Sequence, residues 1–181
     1  MQGCYIKKSI KLKCIQNEKE YFRTIEGMGE GLVLFKISVV NKRIGQNFHL
    51  FFEDNRKPPM DIAINPKSGT VEYISYFAQD EKLDSRIVMN DIEYKDGLPT
   101  IEEELLDEKN TSIALEKRFK IVLSNDDIFI LYEDIMDEPL KAYKIDDTNC
   151  MLFSEDLEFY GVMLKAISKK EIEEIQKSRC L

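Results

Sequence analysis

Phe48-His49-Leu50-Phe51-Phe52-Glu53-Asp54 has a counterpart in Ile128-Phe129-Ile130-Leu131-Tyr132-Glu133-Asp134, each a dense run of β-branched, aromatic and aliphatic residues closed by an acidic pair. Runs of this length and composition read as strands. The two lie 80 positions apart, and their surroundings match at the same step. Pro139 answers Pro59, and Asp146-Asp147-Thr148-Asn149 answers Pro66-Lys67-Ser68-Gly69. A chance likeness between two β-rich stretches would not align prolines, turns and acidic pairs in one register. The pair is therefore read as the spine of two similar halves.

Working outward in the first half, a strand runs from Leu32 to about Val40, followed by the polar turn Asn41–Gly45. Pro58-Pro59 breaks the chain, Met60 to Ile64 extends again, and Asn65-Pro66-Lys67-Ser68-Gly69 turns. Pro66 presets φ there and Gly69 is free to take the left-handed conformation. Thr70 to Phe77 is the fourth strand. In the second half Phe119-Lys120-Ile121 repeats Phe35-Lys36-Ile37, and a strand over Leu157–Ile167 closes the copy. Four strands per half with short turns predict mostly antiparallel sheet. The halves either pack face to face as a sandwich or join edge to edge in one curved sheet.

Three short helices are expected. Asn17 with Glu20 forms a capping-box pattern, and Tyr21, Phe22 and Ile25 share a helical face, which places a helix over 18–26 with Gly27 as its stop. Thr100 with Glu103 predicts a linker helix over 101–108, and Ser168 with Glu171 predicts a C-terminal helix over 169–179. Before the first helix, residues 4–15 alternate like an edge strand with lysines on its solvent face. A short strand is placed at 86–89. The expected class is α+β, mainly antiparallel β: a single domain over 1–181 whose four-stranded meander halves cover about 32–77 and 117–167.

With 181 residues, 43% hydrophobic and 33% charged, the chain is long enough to bury a core without disulfides or metal. No apolar run approaches the roughly 20 residues of a membrane span. The start of the chain lacks the apolar core of a secretory signal, so a cytoplasmic protein with reduced cysteines is expected. Cys4, Cys14, Cys150 and Cys180 make no CxxC pair, and one histidine completes no Cys/His zinc site. No cofactor or metal is expected. The net charge of −8 is uneven, with an excess of 5 basic residues over 1–43 and of 11 acidic residues over 91–181. An acidic C-terminal half argues against nucleic-acid binding and suits a partner with a basic surface.

The glycines Gly27, Gly29 and Gly31 precede a strand instead of opening a helix, so they do not form a dinucleotide fingerprint. His49 shares its strand face with Phe51 and Glu53, away from Phe48, Leu50 and Phe52. A histidine can serve as a general base, but no paired nucleophile stands within its motif. The acidic doublets Asp126-Asp127, Glu133-Asp134, Asp137-Glu138, Asp146-Asp147 and Glu155-Asp156 have no metal-loop or glycosidase spacing. They are read as turn chemistry or, where several line one rim, as an acidic partner-binding surface.

The run from Ile128 through Phe153-Ser154-Glu155-Asp156-Leu157-Glu158-Phe159-Tyr160-Gly161-Val162 to the Ser168-capped helix resembles β-meander modules of bacterial polymorphic-toxin and contact-dependent-inhibition immunity proteins. The resemblance covers about a third of the chain and carries no shared functional residue. It implies a non-enzymatic, cytoplasmic protein that inhibits a cognate toxin by binding it. The expected function is therefore a protein-binding module, with an acidic surface meeting a basic toxin domain. The alternative is a small-molecule-binding domain or enzyme with its site between the halves, near His49.

Overall fold

The structure is a computed structural model that describes residues 10–13, 19–42, 44–54, 56–79, 81, 92–95, 97–101, 111–134, 139–155 and 158–179. In chain order the strands are β1 (Ile10–Lys13), β2 (Tyr21–Gly29), β3 (Leu32–Val39), β4 (Phe48–Asp54), β5 (Lys57–Ile64), β6 (Val71–Gln79) and β7 (Ile92–Lys95). They continue with β8 (Leu98–Ile101), β9 (Ser112–Glu116), β10 (Phe119–Ser124), β11 (Asp127–Tyr132), β12 (Leu140–Lys144), β13 (Asn149–Phe153) and β14 (Phe159–Leu164). Helix α1 (Lys169–Ser178) follows. Sheet I has the spatial order β2-β3-β6-β5-β4-β9 and sheet II the order β10-β11-β14-β13-β12-β7, while β1 and β8 form a separate antiparallel pair.

The two sheets repeat one topology. Within each, five strands pair antiparallel and a sixth adds in parallel at the edge, β9 beside β4 and β7 beside β12. The sixth strands are exchanged between the halves. β7 follows the last strand of sheet I yet completes sheet II; β9 completes sheet I and then leads, through Lys117 and Arg118, into β10 of sheet II. Neither half closes its own sheet.

This architecture corrects several expectations. The sheets are six-stranded and mixed, not four-stranded antiparallel meanders, because strands from between the halves add in parallel. The repeat is also offset by one strand from the 80-residue step. By position in the sheet, β4 corresponds to β12, and β11 corresponds to β3. Almost every strand here is an apolar run ended by a polar turn, so the pattern matches nearly as well one strand out of register. Asn149 does not answer Gly69 as a left-handed residue. It starts β13 with its amide buried, and the left-handed turn residue is Asn125, between β10 and β11.

One helix is present among the described residues, not three. Residues Tyr21–Gly29 form β2. Tyr21 and Ile25 fit an alternating pattern as well as a helical one, and pairing against β3 over its whole length decides between them. Thr100 lies in β8 and bridges Thr70, so the linker helix does not begin there; residues 102–110 lie outside the described residues, as does the strand expected at 86–89. The C-terminal helix forms as read, with both halves of the Ser168–Glu171 capping box made. The Asn65–Gly69 turn also forms as read: Gly69 has φ +68° and donates its N–H to the Asn65 carbonyl at 2.8 Å.

The sheets pack face to face around one core. Ile25, Phe35, Ile37, Leu50, Met60 and Tyr76 from sheet I meet Phe119, Ile121, Ile130, Met151, Phe153 and Phe159 from sheet II. Phe159 stacks on Phe52 of the opposite sheet at 5.2 Å, and Phe119 meets Phe52 and Tyr76 edge-on. Helix α1 lies against edge strand β2, where a side chain at Gly27 would come within 3.1 Å of the Glu174 carbonyl. The helix thereby covers an edge that would otherwise be open.

Arg23 fixes this docking. From β2 its guanidinium meets both Glu171 carboxylate oxygens, at 2.7 and 3.0 Å, and donates to the Lys165 carbonyl at 2.9 Å. Burial alone would raise the Glu171 pKa, but the hydrogen bonds from Arg23 and Ser168 bring it below its usual value. Arg23→Ala is expected to cost about 2–3 kcal/mol, since it strands a half-buried carboxylate that also caps the helix. Denaturant unfolding together with amide exchange in α1 measures this.

Candidate functional site

The outer faces of the two sheets differ sharply. On sheet II, Val122, Phe129, Leu131, Leu140, Cys150, Leu152 and Met163 form a second apolar cluster, every member buried. Burial pushes the Cys150 thiol up to about 11, so it stays protonated within that layer. On sheet I the corresponding outer face is, among the described residues, only partly covered. The strand registers place Phe22, Ser38, Tyr73, Ala63 and His49 in one row across it and Thr24, Lys36, Ser75, Asp61 and Phe51 in the next. Leu34, Phe51, Tyr73 and Phe77 are half-buried, and Phe22 is 44% exposed.

A closed polar network holds the centre of this face. Asp61 accepts the Tyr73 hydroxyl at 2.5 Å on one oxygen and lies 2.9 Å from His49 Nδ1 on the other. The His49 ring stacks on Phe51 at 5.4 Å and meets Tyr73 edge-on, while the Lys36 ammonium sits 4.8 Å above the Tyr73 ring. Burial and then the Asp61 hydrogen bond push the Tyr73 phenol above its ordinary value, which keeps it a donor. Such a network fixes three aromatic side chains in one orientation before any partner arrives. His49 points to this outer face, as its strand phase predicts, and not into a cleft between the halves. Among the described residues its ring makes no hydrogen bond to a serine, cysteine or lysine nucleophile.

The acidic doublets are not brought together. Asp126, Asp127, Asp146 and Asp147 lie at the end of sheet II where β11 and β13 begin; Glu133, Asp134 and Glu155 lie at the opposite end. Asp137, Glu138 and Asp156 fall outside the described residues. Several members serve turns. Asp127 accepts the Ala166 N–H at 2.8 Å, the Asp126 carbonyl accepts from Ile167, and Asp146 accepts from the Thr148 N–H, its hydroxyl and the Asn149 amide. The aspartate preference for turns explains these positions directly.

A second polar region sits where the β4–β5 hairpin meets the ends of β6 and β10. Asp54 is bound by Arg56 through Nε and Nη2, at 2.9 and 2.7 Å. These bonds hold the Asp54 carboxyl down at about 2. Lys57, with its side chain 5% exposed, pairs with Glu81 and donates to the Tyr76 hydroxyl. Nearby, Lys117 lies over the Tyr132 ring at 4.3 Å and donates to the Phe159 carbonyl at 2.8 Å; burial pulls its pKa down against the opposing pull of Glu158. Because the folded Asp54 pKa is depressed, its contribution to stability is present above pH about 4 and is lost as pH falls toward 2. Asp54→Asn is expected to flatten acid unfolding across that window, as followed by circular dichroism.

Sequence reasoning placed His49, Phe51 and Glu53 on one face but missed Asp61 as their partner. The available signal was a lone acid in the apolar strand Met60–Ile64, and using it requires the β4–β5 register. Among the described residues no three His, Cys, Asp or Glu side chains converge to hold a metal ion, and no helix is long and apolar enough to cross a membrane. No protein-family model matches the chain, and no curated protein matches it either.

Proposed function

We propose that the chain is a non-enzymatic protein-binding module whose docking surface is the outer face of sheet I. The observation that carries this reading is the asymmetry between equivalent faces. One is an apolar layer buried throughout, and the other carries, among the described residues, half-buried and exposed side chains with preoriented aromatic rings at its centre. Half-exposed Phe and Tyr side chains held rigid by polar partners are the usual anchors of protein interfaces.

The rim gives the partner its character. Glu26 lies on the same side of β2, and Glu53 and Glu116 lie on that side of β4 and β9, all exposed, against Lys36 within the face. Together with the net charge of −8, this favours a partner with an apolar centre and a basic margin. An immunity protein holding its cognate toxin domain fits that description and agrees with the resemblance of the second half.

Calorimetric titration with the product of an adjacent gene, where that gene encodes a toxin-like domain, at two salt concentrations, tests the reading. Affinity is expected to fall as salt rises, and Phe51→Glu is expected to weaken binding roughly thirtyfold or more, the effect of losing about 2 kcal/mol at a central anchor. Asp126→Asn and Asp147→Asn are expected to bind as the unaltered chain does. Salt-independent binding, or full affinity in Phe51→Glu, speaks against it.

A further inference from the structure

Strand β10 forms an edge of sheet II, with no strand paired on its outer side among the described residues. The Glu133 N–H donates to the Arg118 carbonyl at 2.9 Å, and the register pairs Phe119 with Tyr132. In an antiparallel ladder hydrogen-bonded and non-hydrogen-bonded pairs alternate. Arg118, Lys120 and Val122 therefore bond to β11, while Phe119, Ile121 and Leu123 turn their backbone groups to the other side. Among the described residues that side has no neighbouring strand, β10 being the last strand of the sheet. The Phe119 carbonyl is met there by the Tyr76 hydroxyl at 3.3 Å. The Ile121 and Leu123 backbone groups make no hydrogen bond on that edge among the described residues.

Beside this edge opens a cleft of about 410 Å³, walled by Phe119, Lys120 and Ile121 on one side and by Arg56, Lys57 and Glu81 among others. Its size is that of a ligand site, within roughly 300–1,000 Å³. Its cations and carboxylates balance in number, but each carboxylate is already paired, Glu81 with Lys57 and Glu133 and the adjoining Asp54 with Arg56. Lys57 is matched by Glu81, and Arg56 spends Nε and Nη2 on Asp54. The Arg56 Nη1 donors remain, with Glu133 at 3.7 Å from Nη2, and Lys120 forms no ion pair among the described residues.

We propose that β10 accepts an extended acidic peptide segment of another protein as a seventh strand, its backbone pairing with Ile121 and its carboxylates meeting Lys120 and Arg56. Strand addition needs an exposed ladder edge for affinity and flanking side chains for selection, and both are present at this cleft. The site joins the β10 edge of sheet II to the β4–β5 hairpin of sheet I, apart from the outer face proposed for docking, and does not depend on it.

The test is an amide-resolved NMR titration of the whole chain with a terminally blocked peptide alternating valine and glutamate. A second titration uses the same peptide N-methylated at every residue, so that it keeps its charge but loses the strand donors of both edges. The expected result is a parity pattern: shifts at the Phe119, Ile121 and Leu123 amides exceed those at Lys120 and Val122, and the methylated peptide produces none. Lys120→Glu is expected to weaken binding about tenfold while leaving the free spectrum folded. Equal shifts from the methylated peptide mean ion exchange alone and overturn the proposal. So do shifts without the alternation, or self-association of the chain through β10 that the peptide does not displace.

Discussion

Gly161→Ala is expected to be the most damaging small substitution in the chain, costing about 3–5 kcal/mol from backbone strain and forced overpacking combined. Gly161 lies in the middle of β14, between β11 and β13, with φ +152°. A Cβ there would stand 2.0 Å from the Ile130 carbonyl oxygen and 3.1 Å from the Leu131 Cα. Both are backbone atoms of a neighbouring strand, so no side chain can swing aside to make room. Relief requires β11 and β14 to separate, which opens the buried faces on both sides of sheet II at once. A Tm lower by roughly 6–20 °C is expected in a thermal melt, given a shift of about 2–4 °C per kcal/mol for a chain of this size. A melt like that of the unaltered chain would mean that the two strands are not in this register.

Phe159→Ala is expected to cost about 3–5 kcal/mol, the range for deleting a fully buried phenylalanine. The ring is under 2% exposed and joins the two sheets: it stacks on Phe52 of sheet I at 5.2 Å and meets Phe153 edge-on at 5.8 Å within sheet II. Removing it leaves a cavity where the halves touch, so the loss falls on their association as well as on either sheet. Phe159→Leu fills much of the volume and should cost no more than about 1.5 kcal/mol. Because the halves exchange their sixth strands, both variants are expected to unfold in a single denaturant transition. Two separated transitions would show that the halves are independent.

Much of the local structure is legible without coordinates, because local physics decides it. The Ser168–Glu171 capping box and the Asn65–Gly69 turn are spelled out by a few adjacent residues. The strand phase of Phe48–Asp54 follows from alternation, and it already turns His49, Phe51 and Glu53 away from the core. The rest depends on contacts far apart in the chain. Tyr21–Gly29 satisfies helical and strand spacing together, and only the open edge of β3 selects the strand. The exchange of β7 and β9 leaves no mark on either segment, since a parallel edge strand needs only a free ladder beside it. The candidate docking face was half visible: its phase could be read from β4, but the partnership of Asp61 with His49 and Tyr73 requires three strands in register. Both outer faces carry aliphatic and aromatic residues, so composition alone does not reveal that one is buried throughout and the other only partly covered.

Phe48–Asp54 and Ile128–Asp134 are thus not copies of one strand. The first brings half-exposed residues to the outer face of sheet I. The second is buried on both sides, with Ile128 and Ile130 in the core between the sheets and Phe129 and Leu131 in the outer cluster. Two runs of like composition serve opposite ends: one presents a surface and the other fills the interior.

Hydroxyl-radical footprinting of the chain, with and without a binding protein captured through an adjacent toxin-like gene product, tests the proposed docking face most directly, because it reads the oxidation of individual aromatic side chains. Protection is predicted at Phe22, Phe51, Tyr73 and Phe77, with Tyr94 and Tyr132 on sheet II unchanged. Protection confined to sheet II, with the four sheet I rings as reactive in the complex as in the free chain, would contradict it.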